Sequence, residues 1–107
     1  MQNVVFQGRL AADPQVTGDF GKAVFRLLEN RGRDAASQPR VVGVNCVSWS
    51  KALNARVIAP HLRRGCEVLV AGAFVDVRYH ARDGGVRVAK ELAVRRIALL
   101  DWAAGAA

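Results

Sequence analysis

The sequence predicts an all-β domain: a five-stranded Greek-key barrel with one helix between its third and fourth strands and a long hairpin between its fourth and fifth. Three observations carry that expectation. Runs rich in Val, Phe and Leu alternate with a period of two and are separated by Gly, Asp and Pro turn signals. Only one stretch has the length and the cap residues of a helix. The chain has 107 residues, 51% of them apolar and 23% charged, which suits one ordered core and no more.

Asn3 to Leu10 forms the first strand and ends at the turn signal Ala11-Ala12-Asp13-Pro14. Asp19-Phe20-Gly21 marks a second turn. Lys22 to Glu29 then follows as a strand with Ala23, Phe25 and Leu27 on one face. Asn30 to Arg40 is polar and holds Gly32, Ser37 and Pro39, so it reads as a mobile basic loop. Val41 to Trp49 resumes alternation, with Val42, Val44 and Cys46 facing one way and Val41, Asn45, Val47 and Trp49 the other.

Ser50 makes an N-cap for a helix over Lys51 to Arg64, in which Pro60 predicts a kink and Gly65 the stop. Glu67 to Val77 is a long β-type run interrupted by Gly72. Asp83-Gly84-Gly85 is a hairpin turn between Arg78-Tyr79-His80 and Val86-Arg87-Val88. Leu92 to Leu100 closes the pattern. Residues 1–100 thus form the domain and 101–107 a short flexible tail, with Trp102 expected against the barrel end. Other small barrels share the strand order, but a lone helix in that slot selects the OB-fold.

Sixteen Lys and Arg against nine Asp and Glu leave a formal charge of +7. So large a surplus on a small body favours an anionic partner. Thirteen of the sixteen cations are Arg, which grips phosphate bidentately and lies flat on a base where Lys does neither. A GC-rich coding bias accounts for the Arg-to-Lys ratio but not for the net charge. No apolar run approaches the roughly 18–20 residues of a membrane span, and Met1-Gln2-Asn3 does not open a secretory signal. No membrane role is expected. Cys46 and Cys66 lie in apolar runs with no C-x-x-C, which reads as buried reduced thiols, hence the cytoplasm. His61 and His80 lack ligand or triad neighbours, and no nucleophile motif, P-loop or carboxylate pair occurs. Neither catalysis nor a metal or other cofactor is expected.

Four segments carry a family resemblance: Asn3-Val4-Val5-Phe6-Gln7-Gly8-Arg9-Leu10 with Asp13-Pro14; Gly21-Lys22-Ala23-Val24-Phe25-Arg26-Leu27; Leu62-Arg63-Arg64-Gly65-Cys66-Glu67-Val68-Leu69-Val70-Ala71-Gly72; and Tyr79 with Asp83-Gly84. In this order and spacing, from Met1 to Leu100, they resemble the bacterial single-stranded DNA-binding (SSB) proteins. The resemblance implies an OB-fold that wraps single-stranded DNA with little sequence preference in replication, repair and recombination. It also implies a homo-oligomer, a tetramer in preference to a dimer.

The sequence departs from that family in places. Of its stacking aromatics, the resemblance keeps Trp49 and Tyr79, while two other positions fall on Gly43 and near Gly32. The segment from Trp49 to Gly65 is slightly long and carries Pro60. The sequence stops seven residues after Leu100 with Asp101 the one acid among them, so the likeness is to a tail-less form without the acidic tip that recruits partner proteins. The alternative is a primosomal replication protein of the PriB type, a dimeric OB-fold that docks other replication proteins. An RNA-binding OB module comes third, because the aromatic-rich RNA-binding strands are missing.

The candidate nucleic-acid-binding residues follow from two needs, aromatic faces for bases and cations for phosphates. Trp49 and Tyr79 supply the first, although Trp49 ends a buried-type strand and a core reading stands beside it. Arg9, Lys22, Arg26, Arg31, Arg33, Arg40, Arg78, Arg82 and Arg87 supply the second. Each alone reads equally as a solvated surface charge; the set reads as phosphate tracking. Arg31 and Arg33 are the expected substitutes for the missing platforms. Phe6, Phe25 and Phe74 read as core or interface, Arg56, Arg63 and Arg64 as solubilising helix charges, and Arg95 and Arg96 remain open between the two roles.

Overall fold

A computed structural model of the protein describes residues 3–100; the tail and Trp102 lie outside the described residues. Six strands follow from the alternating runs: β1 (Val4–Leu10), β2 (Gln15–Val16), β3 (Ala23–Arg33), β4 (Pro39–Ser48), β5 (Glu67–His80) and β6 (Val86–Leu99). Five of them close a ring in the order β1-β5-β6-β4-β3 and back to β1. The closing contacts are short. β1 meets β3 antiparallel through Arg9↔Leu28 and Leu10↔Leu27, and β4 meets β6 parallel through Cys46↔Leu92 and Val47↔Ala93. With one helical segment between β4 and β5, this is the predicted OB-fold.

The core is what the period-two pattern dictates. Phe6, Leu10, Ala23, Phe25, Leu27, Cys46, Val68, Val70, Leu92 and Val94 point inward from the strands, and Ile58 and Leu62 plug one end from the helical segment. Each such buried aliphatic contributes about 1.5–3 kcal/mol. Phe6 and Phe25 are core as predicted, whereas Phe74 is 38% exposed, on β5 where it leaves the barrel.

The structure corrects four expectations. The predicted loop over Asn30 to Arg40 is mostly strand, because Asp34 builds a tight turn. Its carboxylate accepts from the Ala36 and Gln38 amides, its own amide bonds Gln38 O, and its carbonyl accepts from Ser37 N. β3 therefore runs to Arg33 and β4 starts at Pro39, with a register shift around Gly32.

The helix is shorter than predicted. It is capped by Ser50 as expected, with Oγ accepting from Leu53 N at 3.2 Å, but it ends at His61, since Leu62 is already extended. Pro60 produces a widened turn over Asn54–Ile58, in which the Ala59 amide bonds Asn54 O. Such π turns are rare and occur mostly as single-turn bulges within α-helices, as here between Leu53 and Ala59.

Gly72 does not interrupt β5. A Cβ there would stand 1.9 Å from Ala93 O, so the bare backbone lets β6 pass close. The register slips between Ala71↔Arg96 and Gly72↔Val94, leaving Arg95 as the extra residue of a bulge. That slip lets Leu92 and Val94 face inward before it and Ile97 and Leu99 after it, with Arg95 and Arg96 both exposed. Finally, the arms that read as a separate hairpin are continuous with the barrel strands, and the short strand β2, paired Gln15↔Val24 and Val16↔Ala23, carried no recognisable signal.

Candidate functional site

Alternation also fixes what faces outward. Across β3 and β4 the residues that alternate with the core set form cross-strand rows: Val24 with Val47, which is itself buried, Arg26 with Asn45, Leu28 with Gly43, Asn30 with Val41. Successive rows lie about 6.8 Å apart. Just below the first row, Lys22 and Trp49 flank the Ala23↔Ser48 pair, and the Lys22 Nζ sits 4.9 Å from the centre of the Trp49 ring. The ring is 64% exposed, so the core reading of Trp49 fails. A cation at that range holds one ring face with about 0.5–1 kcal/mol at an exposed site.

Trp49 is held at its base by the neighbouring loop. Asn54 is fully buried and donates from Nδ2 to Ser48 O at 3.2 Å and to Phe20 O at 2.8 Å. These bonds clamp the end of β4 to the turn at Phe20, whose φ of 60° is left-handed. Asp19 closes the same turn: its carboxylate accepts from Gly21 N and from the Thr17 hydroxyl, and these bonds hold its pKa below the usual carboxylate value.

Both hairpins rise from the same end of the barrel. β4 and β6 run parallel through Cys46↔Leu92, which lies seven residues past Pro39 and six past Val86. At about 3.3 Å per residue each tip stands roughly 20 Å beyond that rung. The β3–β4 tip brings Arg31, Arg33 and Arg40 together, all exposed. The β5–β6 tip carries Tyr79 directly across from Arg87. Arg78 pairs with Val88 on the opposite face, and Arg82 sits in the turn. Tyr79 is 47% exposed.

The cations differ in how they are held. Arg31 pairs with Glu29, Arg87 with Asp83 at 3.1 Å, and Arg33 donates to Ser37 O at 2.6 Å. Exposed pairs of this kind contribute about 0–1 kcal/mol, so a phosphate can displace them. Arg9 stands apart on β1. It donates to Gly65 O at 2.8 Å and lies 3.9 Å from Glu67, beside a groove of about 530 Å³ that Glu29 and Glu67 also line. Arg26 is held by a neutral side chain across the sheet: its Nη1 donates to Asn45 Oδ1 at 2.8 Å.

Lys22, Trp49 and Arg26 thus share the outer face of β3 and β4, Arg31, Arg33 and Arg40 extend it at one tip, Tyr79 and Arg87 stand together on the other tip, and Arg9 lies at the margin. Asn45 was missed by sequence reasoning, because its role depends on the register that puts it opposite Arg26. Cys46 belongs to the wall behind this face. Burial, with a lesser push from Glu91, moves its thiol pKa up to about 12. Among the described residues there is no cluster of three or more His, Cys, Asp or Glu that could hold a metal ion, and no helix is long and apolar enough to cross a membrane.

No family model matches the sequence, and no curated protein matches it either. Among solved structures, one described as "Plasmodium falciparum SSB complex with ssDNA" is similar with a TM-score of 0.77. The likeness covers 94% of this chain and 96% of that one, at 19% identity. At that identity the likeness speaks for the fold.

Proposed function

We propose that this protein binds single-stranded DNA with little sequence preference and shields it during replication, recombination or repair. The observation that carries the reading is that both exposed aromatic rings have cations beside them: Trp49 with Lys22, two rows from Arg26 on the β3–β4 face, and Tyr79 directly across from Arg87 on the β5–β6 hairpin. Support also comes from the Plasmodium structure of similar fold, an SSB in complex with ssDNA. Its chemistry is additive: cations attract the phosphates of any strand, while aromatic faces accept bases only where those are unpaired and free to turn outward. No covalent step is involved, and no cofactor is needed.

Self-association completes the proposal. β1 is paired with β5 over Val4 to Arg9 but reaches β3 only at Arg9 and Leu10, so one edge of residues 4–8 is unpaired within the described chain. Val5, Val86 and Val88 are each about 60% exposed. The open edge at Val5, and the exposed Val86 and Val88 on the β5–β6 hairpin, favour pairing with another copy, and a tetramer is the proposed state.

Titration with oligo-dT at two salt concentrations, with the particle mass measured in parallel, tests this. In a W102F variant that isolates Trp49, fluorescence is quenched on binding, and log K falls against log salt with a slope of about −0.7 per neutralised phosphate. Absence of quenching and of salt dependence contradicts the reading. A dimer by mass would favour the primosomal type of OB-fold, and preference for structured RNA would move the protein to another class.

A further inference from the structure

We infer that Arg26 is a base-stacking platform on the β3–β4 face rather than a phosphate contact, with Asn45 as its positioning residue and an unpaired nucleobase as its ligand. The inference rests on the proposed single-strand reading and assigns a subsite within it.

The geometry is specific. A Cβ built on Gly43 would lie 2.1 Å from Arg26 Nη2, 2.6 Å from Cζ and 3.0 Å from Nε. Three distances that grow so slowly along the group describe a plane lying over the Gly43 backbone, not a head pointing at it. The guanidinium therefore lies flat on the sheet, filling the space that any other residue at position 43 would claim. Asn45 Oδ1 fixes it there through Nη1 at 2.8 Å. Half-buried Val24 and Leu28 bracket it along β3 on the same face.

An arginine meant for phosphate works best with its N–H edge free and mobile, since bidentate grip is made edge-on. Here one edge donor is already spent on Asn45 and the plane is parallel to the sheet. The opposite face of the plane is turned to solvent, because Arg26 is exposed. A flat, weakly hydrated cation offered face-on suits the π face of a base. The site lies one to two rows above Val24 and Val47, on the line that begins at Trp49, roughly 14–20 Å from that ring at the row spacing, so bases of one strand with others between them can use both.

Binding of oligo-dT and of an abasic oligodeoxyribose phosphate of equal length separates the possibilities. R26K keeps the charge and loses the plane. It should weaken oligo-dT binding about tenfold, in line with one lost stack, while leaving abasic binding and the salt slope unchanged. N45A should weaken oligo-dT in the same direction, again with abasic binding and the salt slope unchanged, and melting profiles check that both variants stay folded. Equal loss on both ligands, or unaltered oligo-dT binding by R26K with a shallower salt slope in R26A, overturns the platform and makes Arg26 a phosphate contact. If the unmodified protein binds neither ligand, the single-strand reading itself falls and the platform with it. If it binds oligo-dT and R26K does so equally well, only the platform falls.

Discussion

Trp49 and Tyr79 bring to the surface two rings that a small core would ordinarily hide, which has a measurable consequence. Because Trp49 is 64% and Tyr79 47% exposed, truncating either costs little folding energy, within about 0.5 kcal/mol for a surface site. Binding should suffer instead: W49A and Y79A each lose about 1–3 kcal/mol of affinity for oligo-dT with unchanged melting temperature, read by fluorescence or anisotropy titration and thermal melts. The cysteines make a second residue-scale prediction. Cys46 is buried with its pKa raised to about 12, while Cys66 is half-buried. A disulfide reagent should label Cys66 first and reach Cys46 only on unfolding. The unfolded thiol ionises near its ordinary value of 9.0, so above that pH the unfolded state has lost a proton that the native state retains. Stability should therefore fall as pH rises from about 9 towards 12, and C46A should flatten that alkaline decline in a melting-temperature series.

The elements show which parts of the molecule could be read from residue patterns and which depend on partners distant in sequence. Strand β1, the Ser50 cap and the Asp83-Gly84-Gly85 turn were legible because their signals are local. The turn at Asp34 was obscured by the polarity of its neighbours, and arginines suggested a loop where the backbone is paired. The bulge opposite Gly72 was invisible in β6 alone, since only the register against β5 shows that Arg95 is an extra residue. Gly72→Val should confirm the close crossing, costing about 3 kcal/mol by forcing Ala93 away, where Gly84→Ala in the exposed turn costs about 1 kcal/mol for its positive φ. Urea unfolding compares the two. Of the site, the aromatics and the basic residues could be named individually, but not their sorting into one face, two tips and a margin. That sorting comes from the parallel β4–β6 rung and from pairs such as Tyr79↔Arg87.

At the scale of the whole molecule, one barrel wall serves two ends. Inward, it packs a core that Leu62→Ala would weaken by about 2–5 kcal/mol; outward, it displays Trp49, Lys22 and Arg26 at the spacing of alternate strand residues. The net charge of +7 draws in any polyanion, so attraction alone does not define what is held. On the proposed reading, discrimination rests on the rings, which a paired base cannot reach without leaving its stack. Competition between a fluorescent oligo-dT and unlabelled duplex of matched charge, at physiological salt, addresses this directly. Displacement by unlabelled oligo-dT at far lower concentration than by duplex is the outcome this account requires; equal displacement by the two would contradict it.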